Sequence, residues 1–394
     1  MNQNRQYPLQ LYAEKNEGGE RHATWLELFF DLVFVIAIAE LAHALHDHLT
    51  WAGIASFAAL FVPVWWLWID FSYYADQFDV DRGFYRLIML GVMFGVIVLA
   101  LAIPEVLEGS SAVFATIYTA LRAVIIFLYF QAWRFVPESR ELTARYTTSF
   151  SIAFGFWLVS IFVPEPLRFV LWGVALFIEI SNGPITYATI RTVPAQTSHM
   201  DERFGLFVII VLGEAILAVS TGVDETNWQG TTVLAALSGF ITAVSFWWLY
   251  FEHADASVIN WALRGGRRAL LLSYIYGYSH LLVFMGIVAA GVGTQVAIEA
   301  TAAAEALSLP VRVELCGGIS LFILGLTIVQ WAAPQSLPAQ VIRVRLLVAL
   351  GCAVLIGLGY LVTPVVLTII FAVILVGLAS FESQRTLPVF KQED

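Results

Sequence analysis

Residues 25–48 read WLELFFDLVFVIAIAELAHALHDH, and this stretch decides the class of the protein. It is long and apolar enough to form one helix across a bilayer, which takes about 20 residues. It nevertheless contains Glu27, Asp31, Glu40 and His43. An acid at the centre of a membrane helix costs about 2.5–3.5 kcal/mol on insertion scales, so such acids normally face protein or water. The stretch therefore predicts a membrane helix that packs against other parts of the protein.

The composition extends this prediction to the whole chain. Of the 394 residues, 59% are hydrophobic and only 13% are charged, and the mean hydropathy is +0.80. Soluble domains carry about 25% charged residues, so we predict an all-α polytopic membrane protein. The net charge of −10 and the lack of a basic cluster argue against nucleic acid as a partner. Cys316 and Cys352 lie in apolar runs and are expected to pack as small hydrophobic residues.

Hydropathy divides the chain into twelve predicted spans, approximately 26–46, 51–73, 87–103, 112–133, 146–163, 167–187, 204–222, 231–252, 269–293, 313–332, 344–362 and 364–381. If the N-terminus, every second loop and the C-terminus share one side, that side holds nearly all of the 20 lysines and arginines. Basic residues concentrate on the cytoplasmic side of membrane proteins. We therefore expect both termini in the cytoplasm. The first 24 residues are polar, and no cleavable signal peptide is expected.

Two aromatic blocks favour an internal duplication. Residues 65–70 read WWLWID and residues 247–252 read WWLYFE, and these blocks end the second and the eighth span. The span before each block contains a central glutamate, Glu40 in the first case and Glu214 in the second. Chance recurrence of interfacial aromatic residues is the alternative. Since six is an even number, two six-helix halves would share one orientation, which is a parallel six-plus-six repeat. The predicted organisation is a cytoplasmic segment 1–24, repeats 25–200 and 201–382, and a cytoplasmic tail 383–394.

Four segments of the chain resemble a known family. The sequence ELFFDLVFV at 27–35 is similar to the opening signature of the bacterial low temperature requirement protein A (LtrA) family. The later segments that resemble this family are ERFGLF (202–207) with LGE (212–214), WWLYF (247–251) and YSHL (278–281). The resemblance spans most of the chain and implies a multi-pass protein of the bacterial inner (plasma) membrane. It implies no particular activity, because the family is named for a cold-growth phenotype and has no settled molecular function.

Polar residues within the spans are the candidate functional residues. Glu27 and Asp31 are four residues apart and therefore share a helix face. Asp31 could be a buried acid paired with a residue of a neighbouring helix, or the two acids could line a cytoplasmic vestibule for a cation or proton. We expect Asp31, Glu40, His43, Glu214 and His280 to point into the protein, several of them lining one polar cavity between the repeats. The full set assigned to a polar transport pathway is Asp31, Glu40, His43, Asp70, Glu214, Glu252 and His280.

Other charged residues are expected to be structural. An unpaired guanidinium near mid-membrane would be costly, so Arg122 on the fourth span is predicted to pair with Glu179 on the sixth. Asp76, Asp79 and Asp81 lead from the second span into its loop, and His253 and Asp255 occupy the corresponding place after the eighth span. A solvated loop edge is the simple interpretation of both groups and is preferred for Asp79 and Asp81.

A metal site is not expected from the sequence. Glu40 and His43 have the Glu-x-x-His spacing of carboxylate-bridged di-iron helices, but such sites need a second copy. In the other half Glu214 is followed by Leu217 at that spacing. We expect no metal and no cofactor, and a relay of protons or cations is the preferred role for this pair.

Three functions remain open at this point. The first is a transporter or channel for a proton or a small cation, which the acids and histidines within the membrane favour. The second is an intramembrane enzyme that acts on a lipid or isoprenoid, although no soluble-enzyme motif and no catalytic residue is identified. The third is a structural or regulatory membrane protein whose charges join helices. The expected partners are the lipid bilayer and a proton or small cation, and a homodimer is compatible with each function.

Overall fold

The structure, a computed structural model, describes residue 9 and residues 23–78, 83–190, 199–224, 228–252, 266–333 and 337–385. Asp79, Asp81, His253, Asp255 and most of the predicted terminal segments 1–24 and 383–394 lie outside these residues. The described chain is helical and contains no strand. Its long helices are α1 (Trp25–Asp47), α2 (Trp51–Gln77), α3 (Gly83–Leu101), α4 (Ser111–Phe135), α5 (Arg140–Ser160), α6 (Leu167–Thr189), α7 (Met200–Asp224), α8 (Gly230–Phe251), α9 (Gly266–Ala303), α10 (Leu309–Ala332), α11 (Ala339–Leu358) and α12 (Pro364–Arg385).

Eleven of these helices are long and apolar enough to cross a membrane. The all-α polytopic fold class predicted from the sequence is therefore confirmed. The twelfth helix, α5, falls short because its first turns carry Arg140, Glu141 and Arg145. It occupies the position of the predicted fifth span and packs against α4 and α6.

Helix α9 is the largest departure from the predicted spans. It continues ten residues beyond the predicted end at 293, to Ala303. The added part, TQVAIEATAA, contains a glutamine and a glutamate, which lower the hydropathy, and four alanines, which favour a helix. Hydropathy marks where a chain is apolar, and here the helix extends past that point.

The described chain divides into two compact units. Unit 1 contains residues 1–37, 63–203 and 259–271, and unit 2 contains residues 38–62, 204–258 and 272–394. The division falls within α1, α2, α7 and α9, so each unit is assembled from separate segments of the chain. The six-plus-six duplication remains a prediction.

Unit 1 packs its helices through aromatic side chains. Tyr118 on α4 lies 4.2 Å from Trp157 on α5 between ring centroids, and Trp157 lies 5.4 Å from Trp172 on α6. The hydroxyl of Tyr118 donates to the main-chain oxygen of Pro63 in α2 at 3.2 Å. These rings fill the centre of the unit and hold the helices that carry its buried charges.

Unit 2 brings α9 and α10 together through glycines. A Cβ atom at Gly286 would lie 2.5 Å from the main-chain nitrogen of Phe322, and one at Gly318 would lie 2.5 Å from that of Ala290. Small residues allow such close approach between membrane helices. Just before Gly318, α10 contains one π-helical turn, Val313–Gly317.

Candidate functional site

Asp31 lies in a closed ion pair within unit 1. Arg203 donates to both of its carboxylate oxygens, with Nε at 3.1 Å from Oδ2 and Nη2 in contact with Oδ1. Trp68 Nε1 also donates to Oδ1, at 2.7 Å. Both charged side chains are buried. The cluster fits the alternative in which Asp31 is a buried acid with fixed partners.

Glu27 lies close to this pair, in a second buried cluster. It forms a capping box at the start of α1, because Thr24 N donates to Glu27 Oε2 at 2.9 Å and Glu27 N donates to Thr24 Oγ1 at 3.3 Å. The imidazole of His199 lies between two acids, with Nε2 3.1 Å from Glu27 Oε2 and Nδ1 2.6 Å from Asp76 Oδ1. The sequence placed Asp76 among the acids of a solvated loop edge, whereas the structure buries it, and His199 was not identified from the sequence.

Arg122 forms the third charged cluster of unit 1. Its Nε lies 3.0 Å from Glu179 Oε1, so the predicted contact is present. Its Nη1 also contacts Asp70 Oδ2, and its guanidinium lies 4.7 Å above the ring of Phe150. The sequence had assigned Asp70 to the transport pathway, whereas the structure places it beside Arg122. The reason is electrostatic, because one buried guanidinium can neutralise part of the charge of two acids.

Glu214 has a different environment in unit 2. It lies near the middle of α7, is 7% exposed, and makes no hydrogen bond or ion pair with another described residue. His43 acts on it electrostatically. Glu214 is therefore a largely buried membrane acid without a fixed cationic partner in the described chain.

The histidine beside Glu214 corrects an expectation. His43 is exposed and Glu40 is half-buried, although both were expected to point into the protein. The buried face of α1 runs through Ile38, Leu41 and Leu45. Successive residues are about 100° apart in an α-helix, so His43 lies on the side opposite Leu41 and Glu40 lies at the edge of the buried face.

His280 and Glu252 complete the predicted set. His280 is fully buried, with its ring stacked 4.2 Å from that of Phe204. Its Nε2 lies 3.0 Å from the hydroxyl of Tyr250 and its Nδ1 lies 2.8 Å from the main-chain oxygen of Tyr276. Both nitrogens are thus occupied, which fits a structural role better than the expected role in a solvated pathway. Glu252 is half-buried just after α8.

Comparison with known proteins identifies the family to which this helical chain belongs. The chain matches the family described as bacterial low temperature requirement A protein (LtrA) over residues 22–380. It belongs to the LtrA family. A relative, the uncharacterized protein RA0937 of Rhizobium meliloti (strain 1021), is 33% identical over 292 residues, which cover 72% of this chain and 71% of the relative. No solved structure matches the chain.

Unit 2 of this LtrA protein also contains an arginine cluster that the sequence did not reveal. Arg345 on α11 donates to both carboxylate oxygens of Glu382, with Nε and Nη2 at 2.7 and 2.6 Å, and its Nη1 donates to Gln330 Oε1 at 2.6 Å. On the sequence, Arg345 is counted among the basic residues of the cytoplasmic side. The available signal was its location inside the predicted span 344–362, directly before the apolar residues from Leu346 on, with Glu382 at the end of the last span as a possible partner.

The part of this LtrA protein that the structure describes contains no group of three or more His, Cys, Asp or Glu side chains that could hold a metal ion. The polar chemistry of the described chain therefore consists of ion pairs, hydrogen bonds, and isolated acids near histidines. Only the last of these leaves a charge free to exchange.

Proposed function

We propose that this LtrA protein moves a proton or a small cation across the membrane and that Glu214 binds the transported charge. The observation that carries the proposal is the isolation of Glu214 in the middle of α7, where it has His43 nearby and no hydrogen bond or ion pair within the described residues. A buried acid without a fixed cation must be neutralised by a proton or by a bound ion.

The surroundings of Asp31 support this assignment by contrast. Arg203 already provides a positive charge at Asp31, and Trp68 provides a further hydrogen bond. Releasing that carboxylate to a transported ion would leave a buried guanidinium unpaired, which is costly. Glu214 can change its charge state without breaking such a pair.

In this proposal the protein lies in the bacterial inner membrane with both termini in the cytoplasm. The distribution of lysine and arginine between alternate loops supports that orientation. His43, which is exposed near the C-terminal end of α1, would then lie toward the outer side of the membrane and deliver charge to Glu214 or accept it from there.

The proposal is tested by ion flux into liposomes that contain the purified protein. Flux of protons, Na⁺ and K⁺ is measured across a range of pH, for the natural chain and for Glu214→Gln. The substitution keeps the size of the side chain and removes its charge, so flux should fall at least about tenfold, the effect of about 1.4 kcal/mol. Glu105→Gln, at an exposed acid, is the matched control and should leave flux unchanged.

Two results would contradict the proposal. One is equal flux for Glu214→Gln and the natural chain, and the other is no flux of any of these ions with well-folded natural protein. The second result would favour a structural or regulatory role.

A further inference from the structure

Glu314 is a second isolated acid, and it lies in the only π-helical turn among the described helices. This turn, Val313–Gly317, follows the first four residues of α10. The side chain is 2% exposed, and neither carboxylate oxygen has a hydrogen-bond partner in the described chain. Single π-turns within α-helices occur frequently at functional sites. A buried carboxylate with two unsatisfied oxygens is costly unless something neutralises it.

An ion pair between His46 and Glu299 lies at the surface of unit 2. His46, near the end of α1, acts electrostatically on Glu314. Its Nε2 lies 3.3 and 3.4 Å from the two carboxylate oxygens of Glu299 on α9, and its Nδ1 lies 3.5 Å from Asp47. The side chains of His46 and Glu299 are 26% and 23% exposed, so this pair reaches the surface while Glu314 does not.

The other charged or titratable groups near this end of α10 do not neutralise Glu314. Arg312 directs its Nη1 to the main-chain oxygens of Ile356 and Gly357, at 2.8 and 3.4 Å, and its guanidinium lies 5.6 Å from the ring of Tyr360. Cys316 and, on α11, Cys352 are free, buried thiols. The cation that acts on Glu314 is therefore the one that His46 provides when protonated.

The chemistry of the site favours a proton over a metal ion. Hard cations such as Ca²⁺ and Mg²⁺ take six or more oxygen ligands, several of them from the protein or water. The described residues here offer one carboxylate without a hydrogen-bond partner, and no group of three or more His, Cys, Asp or Glu side chains that could hold a metal ion. A proton needs one oxygen and removes the charge completely.

We propose that Glu314 is a proton-binding site and that the charge of His46 opposes its protonation. On uptake an O–H bond forms on the Glu314 carboxylate as an O–H bond of a hydronium ion breaks, which leaves water. Glu299 holds the imidazole of His46 in place and stabilises its protonated form. The inference stands on the burial and the two unsatisfied oxygens of Glu314 and does not depend on the transport proposed for Glu214.

The test is infrared spectroscopy of the purified protein in lipid, which detects the C=O stretch of a protonated carboxyl group. At neutral pH the natural chain should show such a band, and Glu314→Gln should lose it. Glu305→Gln is the matched control, because Glu305 is an exposed acid just after α9 and should not contribute to the band. His46→Asn removes the positive charge that favours the ionised carboxylate, so the band should persist to higher pH.

A second measurement uses the natural chain and needs no variant. A hydrophobic carbodiimide reacts with protonated carboxyl groups in apolar surroundings, and peptide mass spectrometry should find the label on Glu314 and not on Glu305. A band that survives Glu314→Gln, or an unlabelled Glu314, would overturn the proposal. Loss of the band on adding Na⁺ or K⁺ at constant pH would overturn it too, because the site would then bind a metal cation. Each of these outcomes can be read whether or not the protein transports ions.

Discussion

The acids of unit 1 and two acids of unit 2 are buried in different ways. In unit 1, Asp31 has Arg203, Glu27 and Asp76 share His199, and Asp70 and Glu179 share Arg122. In unit 2, Glu382 has Arg345, but within the described residues Glu214 and Glu314 have only the electrostatic influence of a histidine. A guanidinium stays charged at every physiological pH, and the imidazole of His199 is in direct contact with both of its acids. A cation in direct contact fixes an acid as part of the scaffold, whereas an acid without such a contact is free to exchange.

The largest expected effect in this comparison comes from removing Arg122. Arg122→Gln leaves Asp70 and Glu179 buried together without a cation, and the free energy of unfolding should fall by about 3–5 kcal/mol. Thermal unfolding of the purified protein in detergent measures this loss. Arg140→Gln, at an exposed arginine of α5, should change stability by no more than about 0.5 kcal/mol.

A further variant sharpens the interpretation of that loss. Replacing all three charged residues, with Arg122→Gln, Asp70→Asn and Glu179→Gln combined, should recover most of the stability, because a buried cluster can often be replaced by neutral groups at little cost. If the triple variant is as unstable as the single one, packing rather than charge explains the loss.

The next largest effect is expected for Asp31→Asn. The amide keeps the shape of the side chain but leaves Arg203 without its carboxylate, so stability should fall by about 3 kcal/mol. If Asp31 instead belongs to the transport pathway, to which the sequence assigned it, the substitution should reduce transport and leave the fold intact. The same unfolding assay distinguishes the two, since an unchanged unfolding temperature would return Asp31 to the set of exchangeable acids.

Much of the fold was predictable because hydropathy reports directly on membrane spans. The predicted span 51–73 and the observed α2, Trp51–Gln77, begin at the same residue. The end of α9 was not predictable, because its last turns combine polar residues with alanine and carry no apolar signal. The hydropathy of α5 is also low because charged residues occupy its first turns, although the segment is helical.

The charged clusters were less predictable because their partners are distant in the chain. Asp31 and Arg203 are 172 residues apart, and Arg203 was expected in a cytoplasmic loop. Only the cost of an unpaired guanidinium within a span pointed from Arg122 to Glu179, and it gave no reason to add Asp70. Glu314 was missed because it lies at the edge of a predicted span, where an acid is expected to be solvated.

A smaller effect is expected at His280. His280→Gln should lose the hydrogen bond to Tyr250 and the stacking on Phe204, which lowers stability by about 1–2 kcal/mol. Liposome flux should be unchanged relative to the natural chain, after correction for the amount of folded protein. A loss of flux without a loss of stability would show that His280 takes part in transport and is not a structural residue.

The smallest expected effect on stability is the most informative one. Glu214→Gln breaks no ion pair within the described chain, so the free energy of unfolding should change by no more than about 0.5 kcal/mol. Glu382→Gln is the matched control, because it is the same substitution in the same unit at a glutamate that gives both oxygens to Arg345. That variant should lose about 3 kcal/mol, since it leaves a buried guanidinium unpaired. Equal losses in the two variants would mean that Glu214 is also held by a fixed partner, and the distinction between scaffold acids and exchangeable acids would then fail.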